Sequence, residues 1–391
     1  RAVPCVGHPV NRRATNRPAV NRRDVPAQVR AWVAARLAVL DPVLLALIVV
    51  LAVIGLVTLI SAAADNPVRV NDQLRNYAIA AAATLLCASL SPQALMRIAV
   101  PSYVIGLVLL IAVAIFGVSV KGARRWLDLA VSRVQPSEIL KLAVPLMLAW
   151  YFHRREGVLR GLDFAVATLL VLVPVALIAL QPDLGTALLV LGAGLFVIFF
   201  AGLPWRWIGV FLLTGMSALP IAWSLMRDYQ RSRILTLFDP ASDPLGKGFH
   251  TLQAMIAIGS GGVFGKGWMK GTQAHLEFIP ERTTDFIFAV FSEEFGLVGN
   301  LVLLVLFIAL IGRALEIAGS ATTRFSRLLA AAIAMIIFTY VFVNMGMVSG
   351  ILPVVGVPLP FVSYGGTALL TLGMACGMLM SIHRTRKLVH T

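Results

Sequence analysis

Apolar blocks close to 20 residues long, parted by short cationic loops, leave this chain few folds to choose from. Ten can be drawn, at roughly 42–62, 77–93, 98–117, 137–153, 164–180, 186–203, 207–226, 286–312, 325–345 and 361–382. A helix needs about 20 such residues to cross hydrocarbon, where every backbone polar group must be bonded internally. Period-two alternation, the mark of a membrane barrel, is absent. The expected class is an all-α polytopic membrane protein with ten transmembrane helices. Only 13% of its residues are charged, roughly half the share in a soluble domain.

Ten spans put both termini on one side. The loops on that side carry the larger share of Lys and Arg, which predicts cytoplasmic termini. The net charge of +15 raises nucleic acid as a partner. These charges sit between apolar blocks, however, where topology and lipid headgroups account for them, so no nucleic-acid partner is expected. Cys5, Cys87 and Cys376 have neither metal spacing nor a disulfide framework. Residues 1–26 are rich in Arg, Asn and Pro and lack the apolar core of a secretory signal, so they read as a disordered basic arm. Val29, Trp32, Val33, Leu37 and Leu40 recur at helical spacing and predict an interfacial helix over 27–40. Residues 41–391 form the membrane domain, with one long outer loop, 227–285, between helices 7 and 8. Its aromatic and apolar residues predict that it folds back over the mouth of the bundle, with short amphipathic helices near 250–258.

Several polar motifs have two readings each. "KGARRWLDL" (121–129) joins Lys121, Arg124 and Arg125 to Trp126; it either anchors the interface or holds a diphosphate or sugar. In "VQPSEILKLAVPLM" (134–147), Pro136 and Glu138 suit a helix start, and Lys141 lies one turn deeper. An ammonium there costs about 2.5–3.5 kcal/mol on insertion scales, so it snorkels or pairs with a carboxylate from another span. Asp183 in "LQPDLGTALL" reads as a helix cap. The glycine-rich stretch 246–268 lacks P-loop spacing. Thr283, Thr284 and Asp285 precede an apolar run, which is an N-cap signature, yet they also follow Glu281 and Arg282. Glu293 and Glu294 lie about 80° and 180° around the helix from Asp285, so at least one must bond another helix. The glycines and prolines of 347–366 break any helix, and broken backbone at membrane depth must be buried in protein or line a cavity. All these groups converge on the outer side.

At "GARRWLDL", "QPSEILKLA", "QPDLGTA", "FIPERTTDFIFAVFSEEFGLVG" and "NMGMVSGILPVVGVPLPFVSYGG" the chain resembles the SEDS family (shape, elongation, division and sporulation). The likeness runs over about residues 40–388 and is nearer the RodA branch than the division branch. The resemblance implies a peptidoglycan glycosyltransferase that polymerises lipid II at the outer face of the bacterial cytoplasmic membrane. Its implied partners are lipid II, the nascent glycan strand, membrane lipids and a class B penicillin-binding protein that crosslinks the strands. It implies Asp285 as the essential acid and Lys141 as its ion-pair partner. Arg125, Trp126, Gln135 and Glu138 match the family's polar outer motifs; with Arg124, Arg233 and Glu281 they are the expected diphosphate and sugar contacts. Turning an α-linked lipid diphosphate into a β-1,4 product requires one in-line displacement, a base for the acceptor 4-hydroxyl and cations for the leaving diphosphate. A divalent cation, Mg or Mn, is compatible with that chemistry but has no ligand signature here. Two other functions compete: a lipid II flippase, and a non-catalytic scaffold for the transpeptidase.

Overall fold

The computed structural model describes residues 40–389, apart from 65, 121–122, 130–131, 156, 227–230, 232–234, 236–246, 276–278 and 280. The arm 1–26, residues 27–39 of the interfacial helix, and Arg233 therefore lie outside the described residues.

The described chain is helical. Its elements are α1 (Pro42–Ala62), α2 (Pro67–Ser89), α3 (Pro92–Phe116), α4 (Pro136–Arg154), α5 (Gly161–Leu180), α6 (Leu184–Phe200) and α7 (Trp205–Leu225). There follow α8 (Lys247–Gly261), the single turn α9 (Thr272–His275), α10 (Ile287–Gly319), α11 (Arg324–Val348) and α12 (Gly366–Val389). Among the described residues six helices, α1, α3, α5, α10, α11 and α12, are long and apolar enough to cross a membrane, and α6 is a shorter apolar helix. Many large apolar side chains are exposed, among them Val50, Leu86, Ile105, Phe116, Leu301 and Phe342. Such a surface is stable only against lipid, and the chain is a multi-pass membrane protein.

Helix starts follow local rules. Pro stands in the first turn of α1 to α4, where its missing N–H costs nothing. Asp41, Ser91, Asp183 and Thr323 cap α1, α3, α6 and α11 by accepting from a backbone N–H three residues on. The cap expected of Asp183 is thus present. That expected of Asp285 is not: the N-cap of α10 falls on Phe286, which makes no side-chain cap bond. Asp285 stands one residue outside the helix, in a turn covering 281–286.

α11 and α12 have mostly buried faces and form the centre, whereas α1, α3 and α10 present wide lipid faces. α12 packs along α2, α3 along α4, and α11 touches α10, α6 and α4. α2 begins ten residues before its apolar block; most of these added residues are exposed, but two of them bond other elements. Arg69 donates to Thr283 Oγ1 (2.9 Å), and Gln73 donates to the Ser363 carbonyl (3.2 Å).

Three features depart from an unbroken helical bundle. Between α3 and α4 lies a three-stranded antiparallel sheet, β1 (Val118–Val120), β2 (Ala123–Leu129) and β3 (Ser132–Val134), in the order β1-β2-β3. Val118 pairs with Trp126 and Leu127 with Val134. The helical class stands, but this sheet is an addition to the sequence reading. The expected break between α11 and α12 is present: residues 349–365 are irregular. Their backbone groups are bonded by side chains from several elements: Asn344 donates to the Val357 carbonyl (2.7 Å), and Tyr77 to that of Phe361 (2.7 Å). The third departure is inside α10, which breaks at Gly296 (φ 64°, ψ −162°). The freed groups pair with the glycine-rich loop: Lys266 N and Gly267 N donate to the carbonyls of Glu293 and Glu294, each at 3.0 Å, and Leu297 N donates to that of Gly262 (2.9 Å). A Cβ on Gly296 would stand 2.3 Å from Gly265 N, so only glycine fits. The long loop does carry a helix, α8, where amphipathic helices were expected.

Candidate active site

The polar residues singled out in the sequence gather at the end of the bundle where α4 and α10 begin. β2 brings Arg125 and Trp126 there on opposite faces of one strand, as its period of two demands. Arg125 is already engaged: Nε donates to the Gln181 carbonyl (3.3 Å), Nη2 donates to that of Pro182, and Nη1 stands 3.8 Å from Asp183 Oδ1. Its side chain is 31% exposed, so it keeps an open flank. Asp183 also accepts from Gln135 Nε2 (2.9 Å), which ties the α5–α6 turn to the start of α4. Arg124 lies on β2, but its side chain is outside the described residues.

One turn into α4, Lys141 is buried and makes two bonds: Nζ donates to Glu138 Oε1 (2.5 Å) and to the Tyr340 hydroxyl on α11 (2.8 Å). The expectation that Lys141 pairs with Asp285, or with a carboxylate from another span, is corrected. Its carboxylate is Glu138, three residues earlier on its own helix, where an i,i+3 spacing places two side chains on one face. Asp285 is not among its hydrogen-bond or ion-pair partners. Snorkelling does not apply either, because the ammonium is neutralised inside the bundle. Glu138 Oε2 accepts from Thr371 of α12 (3.2 Å), so this ion pair links three helices.

Asp285 is half-buried. Its carbonyl accepts from Asn344 Nδ2 (2.9 Å), the same amide that donates to Val357. Asn344 and Tyr340 are four residues apart on α11, hence on one face and about one turn, 5.4 Å of rise, from each other. α11 thus presents Tyr340 to Lys141 and Asn344 to the Asp285 turn. Gly356 of the irregular segment lies over the carboxylate, its φ of 77° in the left-handed region. A Cβ there would come within 3.3 Å of Asp285 Oδ2. Glu281 opens the same turn at φ 52°, and its Oε2 accepts from Thr284 Oγ1 (3.1 Å).

The structure therefore brings Arg125, Gln135, Glu138, Lys141, Glu281 and Asp285 to one end, and adds four residues that the sequence reading did not assign to the site. Asp183 was read only as a cap. Tyr340, Asn344 and Thr371 are polar groups within apolar runs, and that was the available signal. Glu293 and Glu294 turn elsewhere. Glu294 accepts from Ser61 of α1, while Glu293 accepts from Lys266 of the glycine-rich loop (2.7 Å) and Thr272 of α9 (3.1 Å). Among the described residues no three His, Cys, Asp or Glu side chains converge as metal ligands.

The family model FTSW_RODA_SPOVE, described as "Cell cycle protein", matches residues 40–388. The chain belongs to this family. It is 50% identical over 351 residues, 90% of its own length and 95% of the relative's, to "Peptidoglycan glycosyltransferase MrdB" of Escherichia coli K12. A "Probable peptidoglycan glycosyltransferase FtsW" of Trichlorobacter lovleyi is 35% identical, with 90% of this chain and 95% of that one covered. Among solved structures, a chain from a peptidoglycan synthase complex that coordinates polymerization and crosslinking has a TM-score of 0.77 at 34% identity, covering 89% of this chain and 98% of that one. The "Rod shape determining protein RodA" of Thermus thermophilus has a TM-score of 0.68 at 32% identity, covering 89% and 97%.

Proposed function

We propose that this family member is a peptidoglycan glycosyltransferase of cell elongation and rod-shape maintenance, polymerising lipid II with Asp285 as the general base. The observation that carries the site assignment is the placement of Asp285. It is a half-buried carboxylate on a non-helical turn, its backbone carbonyl accepting from Asn344 and its Oδ2 lying under Gly356 of the irregular segment, beside a chain of bonded polar groups. The backbone bond to Asn344 fixes the position of the turn that carries the carboxylate. A base so placed takes the proton of the acceptor 4-hydroxyl as that oxygen attacks the anomeric carbon of the growing strand. The bond to the diphosphate oxygen breaks, and inversion gives the β-1,4 linkage. The leaving diphosphate gains charge, and Arg125, with Arg124 and Arg233, stands to balance it. Arg125 serves with its open flank while Gln181, Pro182 and Asp183 hold the other.

Lys141 acts as a positioning group. It bonds Glu138, which in turn accepts from Thr371, and its bond to Tyr340 sets the face of α11 that carries Asn344. Gln135 and Trp126 line the approach. The ten long helices, α1–α7 and α10–α12, are taken as ten spans, with both termini cytoplasmic and the Asp285 end outside, where loop 227–285 lies. Resemblance to a chain that works within a synthase complex supports a class B penicillin-binding protein as the partner.

The test is purified protein with lipid II alone. Polymer with inverted, β-linked sugars supports the reading. Transbilayer movement of lipid II without polymer would establish the flippase, and neither activity would leave the scaffold.

A further inference from the structure

At the opposite end of the bundle, α3 and α4 enclose a 620 Å³ cavity lined by Gln93, Met96, Arg97, Val100, Trp150, His153 and Arg154. Its volume suits a small-molecule site, which is usually about 300–1,000 Å³. The lining is graded. Met96, Val100 and Trp150 form an apolar wall, and Arg97 and Arg154 stand exposed at the rim, with the Arg154 guanidinium 5.8 Å from the Trp150 ring centre. No carboxylate is among these residues, and among the described residues neither arginine has one within ion-pair distance. Two guanidinium groups without a carboxylate partner among the described residues, a donor amide and a half-buried imidazole face one hollow. It sits where a membrane-crossing helix, α3, begins and its neighbour α4 ends, which is the depth of lipid headgroups.

We propose that this cavity binds the phosphodiester of an anionic phospholipid in the leaflet opposite the Asp285 site. The guanidinium forks match phosphate oxygens. The acyl chains would run along Met96, Val100 and Trp150, continuous with the lipid-facing surface of α3 at Val104 and Ile105. A free phosphate would use the arginines but gain nothing from that wall, which is why the lipid is the occupant the lining favours. The site does not depend on the glycosyltransferase reading.

The full chain, delipidated in non-ionic detergent, would be titrated with phosphatidylglycerol, phosphatidylcholine and inorganic phosphate, with bound molecules counted by native mass spectrometry. Phosphatidylglycerol should bind more tightly than phosphatidylcholine, and phosphate should not bind measurably. Each arginine removed should weaken phosphatidylglycerol about five-fold, since one basic residue near an anionic headgroup contributes on that scale. Arg97→Gln, Arg154→Gln and the double variant are compared with Arg206→Gln, a change of equal charge outside the cavity, which should bind as wild type. Equal binding of the two lipids, an undiminished double variant, or an equal loss in Arg206→Gln would overturn the site. Phosphate binding as tight as that of phosphatidylglycerol would overturn the lipid as its occupant.

Discussion

Asp41 and Asp285 stand near opposite ends of α10 and are held in contrary ways. Asp41 is fully buried and its carboxyl oxygens are consumed: Oδ1 accepts from Leu44 N (2.8 Å) and Arg313 Nε (3.2 Å), and Oδ2 faces Arg313 Nη2 (2.5 Å) and His383 Nε2 (3.2 Å). Asp285 is half-buried and anchored through its carbonyl, with Gly356 leaving space over Oδ2. The first arrangement is a clamp that ties α1 to α10 and α12, and it has no oxygen to spare for chemistry. The second fixes the turn through its backbone, at a residue that is only half-buried. Full burial alone therefore does not single out a candidate base, because a carboxylate enclosed by a clamp serves the fold.

If this contrast holds, damage at the two ends should differ in kind. The largest loss of stability should come from Arg313→Ala, which takes the guanidinium from the buried Asp41 and leaves Leu44 N and His383 on it, a broken buried pair costing about 3–5 kcal/mol. Unfolding in detergent would measure it, and activity per folded molecule should stay near wild type. Loss of activity at unchanged stability would break the comparison. Next is Lys141→Met, which strands Glu138 and frees Tyr340 at about 1–3 kcal/mol, more for charged groups. Adding Glu138→Gln should return part of that stability, and a double-mutant cycle reads the coupling. Unchanged activity in both variants would remove Lys141 from the positioning role.

Asn344→Leu sharpens the comparison further. It leaves the Asp285 and Val357 carbonyls without their donor, at about 1–3 kcal/mol for each group left buried. Polymerisation should fall by more than the melting shift accounts for, because the Asp285 turn loses its tether. The smallest effect is a pH dependence at the clamp. Burial pushes the Asp41 carboxyl up, but hydrogen bonds from Arg313 and Leu44 and the charges of Arg313 and His383 outweigh it and hold it below the ordinary range. Its contribution is complete above the unfolded value, about 3.9, and is lost as pH falls through the lower folded value. Stability of the wild type should therefore drop below about pH 4 more steeply than that of Asp41→Asn.

Much of this was legible because hydrocarbon imposes simple rules. The apolar blocks place the long helices, Asp183 announces its cap, and the prolines and glycines of 349–365 announce the break. The start of α2 was missed because its first turns are polar and mostly exposed, so an apolar window cannot find them. The sheet at 118–134 was missed because a short strand at the membrane edge pairs only locally and leaves no long pattern. The break at Gly296 depends on the loop 262–267 arriving alongside, a non-local pairing that one glycine in an apolar run does not disclose. The Lys141–Glu138 pair was in plain view at i,i+3, but the resemblance drew attention to Asp285 instead. Tyr340 and Asn344 needed the packing of α11 against α4 before their spacing had meaning.

The central claim is that the Asp285 carboxylate removes the acceptor proton. Asp285→Asn keeps the side chain's size and the carbonyl bond to Asn344 while removing the base. Purified wild-type and variant proteins should melt at the same temperature, and the variant should polymerise lipid II about 10²–10⁴-fold more slowly. Polymerisation at the wild-type rate by a folded Asp285→Asn protein would contradict the account.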